Sequence, residues 1–290
     1  MAKSKKQTDP EFYLVLSDLH VGHATGLAPR GFTNSVGVEW VRTKPQQYLL
    51  ECFEHMTEQL PDVIDGLWLM GDMCEGQNLF EFSTDLSETH PDFQIDAVKH
   101  VLAPIRAKVR TKKKRKNIRA VSGSKYHTGR LARMESNIVK QMKGIPRGVE
   151  YAPPWRRIER GLVLFDLAHH QSFTFRYSSM PLEREMAFMA EYAGKAQQRL
   201  PDTVIIIRGH THKGFRVWTE RGQYIEWMSI SAPSFKIQDL FAQGSKIPNR
   251  MLPDNVGAFG IWIYPEKVNG SLISIVPYLY DHPQLEVEVI

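Results

Sequence analysis

Two cysteines, Cys52 and Cys74, are all the chain contains. That is too few for a disulfide framework, and their spacing does not make a zinc site. Both read as core residues of a reduced, intracellular protein. No apolar run is long enough to span a bilayer, which excludes a membrane helix on sequence grounds. Met1 to Pro10 is polar and lysine-bearing, without the apolar stretch of a signal peptide. Residues 1–10 are therefore expected to form a flexible tail, residues 11–290 a single domain, and the location is expected to be cytoplasmic. There is no internal repeat. Neither a G-x-S-x-G elbow nor a P-loop is present, so the sequence offers no standard serine nucleophile or nucleotide cradle.

What the chain does have is a core. Of its 290 residues, 42% are hydrophobic, enough to bury a sizeable interior. The net charge of +5 favours anionic partners by long-range steering. Much of the excess sits in Arg106–Lys116, RAKVRTKKKRK. Such a run is either a solvated helix end and loop or a contact to a nucleic-acid backbone.

Apolar periodicity alternates strand and helix. Strands are expected at Phe12–Ser17, Val63–Met70, Ile118–Val121, Gly161–Ala168 and Thr203–Ile207. Helices are expected at Pro45–Leu60, Ile95–Val109 (with Pro104 set to kink it), Leu131–Met142 and Met180–Leu200. From Phe215 on the pattern is strands only, at Phe215–Glu220, Gln223–Ser229, Val256–Tyr264 and Leu272–Tyr280. That strand-rich part is expected to supply a second sheet packed on the first.

Five successive strands end in polar, metal-capable loops. These are Asp18-Leu19-His20, Gly71-Asp72, Gly123-Ser124-Lys125-Tyr126-His127, His169-His170 and Gly209-His210-Thr211-His212. Ligand sites of α/β sheets gather beyond the carboxyl ends of strands, so these loops are expected to converge. Each piece alone is commonplace: a turn, a chance triplet, a pair of solvated histidines. Together they put carboxylates and imidazoles in one place, which suits first-row divalent metals.

The order D-x-H, GD, G-S-K-Y-H, H, GH-x-H resembles the calcineurin-like metallophosphoesterases, in a compact form like those of bacteria and bacteriophages. The resemblance runs from about Phe12 to His212. It implies an α/β sandwich of two mixed β-sheets flanked by helices, and a dinuclear metal-dependent phosphoester hydrolase. It also implies two divalent ions, expected to be Mn²⁺, with Fe, Zn, Ni and Mg as other candidates. Position by position, Asp18, His20 and His212 bind the first metal, and Asp72 bridges both. His170 and His210 bind the second, His170 being preferred because Gln171 follows it; His169 is then a packed neighbour. The third motif departs from the family pattern. Ser124 stands where an asparagine ligand is usual and is a poorer donor. His127 is taken as the phosphate-binding or leaving-group-protonating histidine, with direct ligation as the alternative. Lys125, Arg130 and His23 are candidates for holding substrate. Glu75 is a candidate for orienting a ligand histidine. Asp85, Glu88, His90 and Asp92 are read as capping and solvation.

The mechanism so implied is attack on phosphorus by a hydroxide shared between the metals. The basic run and net charge tilt the expected substrate towards a phosphodiester in nucleic acid. A nucleotide or protein phosphomonoesterase is the near alternative. A one-metal, non-catalytic relative and a nucleic-acid-binding protein with incidental histidines are the rivals. Ser234–Asn255 is expected to form a cap over the site.

Overall fold

The computed structural model describes residues 9–77, 85–112, 115–128, 133–144, 153, 155–170, 180–196, 199–212, 215–221, 225–237 and 255–281. The chain opens with β1 (Glu11–Leu16), α1 (Lys44–Gln59) and β2 (Gly66–Leu69). Next come α2 (Pro91–Val101), α3 (Ala103–Lys108), the short pair β3 (Thr111–Lys112) and β4 (Arg115–Lys116), and β5 (Ile118–Ala120). The middle holds α4 (Lys125–Thr128), α5 (Arg133–Gln141), β6 (Trp155–Arg160), β7 (Val163–Ala168) and α6 (Met180–Lys195). Then follow β8 (Thr203–Arg208), β9 (Arg216–Arg221), β10 (Glu226–Ser231), β11 (Asn255–Val268) and β12 (Ser271–Asp281).

Two five-stranded mixed sheets carry the fold, ordered β12-β11-β1-β2-β5 and β6-β7-β8-β10-β9. Strands β1, β2 and β5 are parallel, as are β7, β8 and β10. The side-chain period of two divides each strand between two cores. On β1, Phe12, Leu14 and Leu16 face one helix layer, while Tyr13 and Val15 face the other sheet. On β8, Ile205 and Ile207 enter that same inter-sheet layer, and Val204 and Ile206 meet Leu182 and Met186 of α6. The apolar runs of the sequence are continuous because both faces of their strands are covered.

Helix α1 begins at a capping box, in which the Thr43 hydroxyl accepts from the Gln46 amide and the Gln46 side chain accepts from the Thr43 amide. It stops at Leu60, which adopts an extended conformation before Pro61. Leu49, Leu50, Phe53 and Met56 are its buried face. Pro104 does more than kink the next helix. The chain breaks into α2 and α3 at Leu102, because Pro104 has no N–H to give to the His100 carbonyl four residues back.

Two expectations need correction. The last two strands do not build the second sheet. Strand β11 pairs antiparallel with β1, Glu11 opposite Ile263, and so extends the first sheet. The second sheet comes from the middle of the chain and includes β6, WRRIER, which the apolar pattern did not reveal. As an edge strand it buries only alternate residues, Arg156 and Ile158, and one of these is charged.

Among the described residues no helix is long and apolar enough to cross a membrane. Of the expected cap, only residues 234–237 are described; the rest lies outside the described residues, as does Arg130.

Candidate metal centre

The five polar loops leave the carboxyl ends of β1, β2, β5, β7 and β8 and meet at one end of the sandwich. Backbone hydrogen bonds continue the pairing beyond the strands: Asp18 N to Gly71 O (3.1 Å), His20 N to Asp72 O (3.0 Å) and Gly209 N to His169 O (3.1 Å). The third loop can come this close only because it carries no side chain at Gly123, where a Cβ would lie 2.0 Å from Asp72 Oδ1. Backbone strain concentrates here too. Asp18, His20, Asp72, His210 and His212 all have positive φ, between 46° and 70°, a region disfavoured for residues with a Cβ. Strain of this kind persists where the surroundings hold a residue in place, and it gathers at working sites.

Among the described residues, ligand-type atoms form three compact groups, Asp18–His20–His212, Asp72–His169–His210 and, sharing His20 with the first, His20–Glu75–His127, the atoms of each lying within 4.8 Å of one another. In the first, His212 Nε2 is 2.9 Å and His20 Nε2 3.7 Å from Asp18 Oδ1. In the second, His169 Nε2 is 2.9 Å from Asp72 Oδ2. These two adjoin, with His169 Nε2 3.9 Å from Asp18 Oδ1. Asp18, Asp72 and His20 are almost wholly buried.

The inward direction of each ring is fixed from behind. The Nδ1–H of His20 donates to Glu75 Oε2 (2.6 Å) and that of His169 to the Met70 carbonyl (2.8 Å). A neutral ring so held turns its Nε2 lone pair inward. Those lone pairs face carboxylate oxygens, which are acceptors as well. Acceptor against acceptor is stable only with a proton or a cation between them, so the donor set fits divalent cations. The proton affinities follow the same logic. Burial opposes charge on His169, but the carboxylates of Asp72 and Asp18 raise it to about 9. Burial would raise Asp18, Asp72 and Glu75, yet the surrounding imidazoles pull all three below the usual carboxylate range. Burial, reinforced by the charge on His169, pushes His210 down to about 4. Burial is also the main cause that lowers His212 and His170.

Of the residues singled out in the sequence, Asp18, His20, Asp72, His210 and His212 come together. His169 stands in the second group. His170 stands beside it, its ring 4.6 Å from that of His210, outside all three groups. Ser124 donates from its amide to Asp72 Oδ1 (2.8 Å), with its hydroxyl 3.3 Å from the same oxygen. His23 is turned into its own loop, where Nδ1 accepts from the Thr25 amide at 3.0 Å. Lys125 is exposed. Glu88 accepts from Ser35 and from the His90 amide, a local capping role.

Two buried groups at the site were not foreseen. Lys236, just after β10, places Nζ 3.6 Å from Glu75 Oε2. An isolated lysine within the apolar stretch SAPSFKI was the available signal. Glu135 on α5 is fully buried, and among the described residues neither carboxyl oxygen has a side-chain hydrogen-bond partner.

The basic run lies elsewhere. Arg106, Lys108 and Lys116 donate to the carbonyls of Met142, Leu60 and Val109, and Arg110 pairs with Asp65. Asp65 precedes β2, whereas Asp72 follows it. At ~3.3 Å per residue that separates the run from the metal centre by roughly 20 Å.

The chain is thus an α/β sandwich of two mixed five-stranded sheets flanked by helices, the fold that the motif order implied. Among solved structures, the chain is similar to Vps29 of Entamoeba histolytica complexed with zinc, at 17% identity over 91% of this chain and 89% of that one (TM-score 0.36). It is similar also to the phosphoesterase YfcE of E. coli, at 14% over 91% and 98% (TM-score 0.38). A third is a purple acid phosphatase from yellow lupin seeds, at 11% over 96% and 54% (TM-score 0.43). At such values the likeness is one of chain course and carries nothing about the reaction. No protein-family model matches the chain, and no curated protein matches it by sequence.

Proposed function

We propose that the protein is a metal-dependent phosphoester hydrolase working with two divalent cations. One observation carries this: two adjoining carboxylate–imidazole groups, buried at the strand ends, whose lone pairs converge on space that requires positive charge. Asp18, His20 and His212 would hold one cation. Asp72, His169 and His210 would hold the other, with Asp72 the carboxylate placed to serve both. His169 is preferred to His170 because the Met70 carbonyl fixes its Nδ1 and leaves Nε2 facing Asp72. Imidazole and carboxylate donors suit manganese, iron or zinc. Two such cations offset the charge of a phosphoryl group and make water a nucleophile near neutral pH.

The chain's own residues do the positioning. Glu75 orients His20, and Lys236 offsets the charge of Glu75. Ser124 fixes Asp72 by two contacts to one oxygen. Whether the ester is a diester or a monoester turns on what lies around this centre. Of the basic run, Arg106, Lys108, Arg110 and Lys116 are held by carbonyls and Asp65 at the far end of the sheet and give the nucleic-acid reading no support at the site. The net charge of +5 remains its motivation.

With Mn²⁺ supplied, the protein should hydrolyse bis- or mono-p-nitrophenyl phosphate, and the ratio of the two rates ranks the substrate classes. Asp72→Asn should lower kcat/KM by more than ~100-fold, since losing even an outer partner of a metal ligand costs ~10–100-fold. Equal rates for wild type and variant, or one cation per chain with no turnover, would instead favour a non-catalytic relative.

A further inference from the structure

The segment after Gly123 is not a relaxed version of a metal loop but a short helix, α4, docked on the Asp72–Gly76 turn. Ser124 binds Asp72 Oδ1 through its amide and hydroxyl. The His127 carbonyl presses so close on Gly76 that a Cβ there would lie 2.1 Å from the oxygen. His127 Nδ1 is 2.9 Å from the Glu75 carbonyl and 3.3 Å from Glu75 Oε1. The Ser124 hydroxyl also faces the His127 amide at 3.4 Å, so it is occupied in bracing this turn.

With Nδ1–H given to Glu75, the remaining nitrogen of His127 is an acceptor, and it points to Asp72. Its Nε2 lies 4.0 Å from Asp72 Oδ2, and the ring meets that of His20 edge-on at 4.6 Å. Two donors on one ion, each ~2.1 Å from it, lie no more than about 4.2 Å apart. The 4.0 Å gap is therefore within the span of two ligands on a common cation. It is too long for a hydrogen bond. Glu75 thus holds His20 and His127 by the same nitrogen and aims both by the other.

We infer that His127 is a metal ligand, donating from Nε2 to the cation at Asp72, and that Ser124 fixes the Asp72 carboxylate. This rests on the dinuclear reading given above. It replaces the expectation that His127 protonates the leaving group. A ring whose inward nitrogen binds a cation carries no proton there to give.

The test is a titration of the full chain with Co²⁺, followed by visible absorption and by equilibrium metal analysis. Wild type should take up two ions. His127→Ala should keep one at wild-type affinity and bind the other at least tenfold more weakly, with a changed visible spectrum. Should that variant fail to fold, ¹⁵N-histidine spectra of the wild-type protein titrated with Zn²⁺ decide the matter. The His127 Nε2 resonance should then move together with those of His169 and His210. Two ions bound with unchanged affinity and spectrum in His127→Ala, or a stationary His127 resonance, would overturn the ligand role. Wild type binding no cation would overturn the dinuclear reading itself, a separate and recognisable failure.

Discussion

Single residues at this centre are held in conformations and charge states they would not choose alone. Asp18, His20, Asp72, His210 and His212 sit in the left-handed region. Each costs on the order of 1–3 kcal/mol, offset by the packing that fixes it. Glu75 faces His20, His127 and Lys236 at once. The ammonium of Lys236 is buried beside it, and breaking a buried pair by removing one partner costs ~3–5 kcal/mol. Lys236→Met should therefore lower the unfolding free energy of the chelated protein by several kcal/mol in urea. A loss below ~1 kcal/mol would mean that water or a neighbour replaces the lysine without cost.

At the scale of elements, α5 brings an unusual group to the back of the Asp72 turn. Burial, then the charge of Asp72, raise the Glu135 carboxyl from 4.5 to about 8. Between those pH values the folded chain keeps a proton that the unfolded chain has released. Stability from this residue is therefore intact below pH 4.5 and declines as pH rises towards 8, by ~1.4 kcal/mol per unit. Glu135→Gln removes the slope. Without cations, wild type should lose a few kcal/mol more than the variant between pH 5 and pH 8 in denaturant unfolding. Parallel losses would show that Glu135 ionises freely in the fold. The strand ends were legible beforehand because their signals are local: an apolar run, then Asp or His within two residues. Strand β6 was not, because an edge strand with a buried arginine has no such run.

For the whole molecule, the proposed centre would draw its ligands from both sheets: Asp18, His20 and Asp72 follow strands of one, His169, His210 and His212 strands of the other. Cations bound there tie the two halves of the sandwich together. At a hundredfold excess over Kd, each site adds ~2.7 kcal/mol to stability. With two sites and ~2–4 °C per kcal/mol for a chain of this order, Mn²⁺ should raise Tm by about 10–20 °C over the chelated protein. Asp72→Asn should lose most of that shift, and differential scanning calorimetry checks it. A Tm indifferent to Mn²⁺ would deny the site any affinity for that ion.

The sequence by itself determined nine of the twelve strands, the order of their loops and the residue types gathered there, since burial periodicity and strand-end position are properties of short segments. It also carried the expectation of a two-sheet sandwich, though not which strands made the second sheet. The tertiary structure decided which of two adjacent histidines faces Asp72. That depended on the Met70 carbonyl, 99 residues away, taking the Nδ1 proton of His169. It decided as well that Arg106, Lys108 and Lys116 donate to carbonyls far from the centre and that Lys236 and Glu135 are buried beside it. These outcomes belong to contacts between distant segments, where a hydrogen-bond partner or a neighbouring charge is supplied by the fold and has no mark in the local sequence.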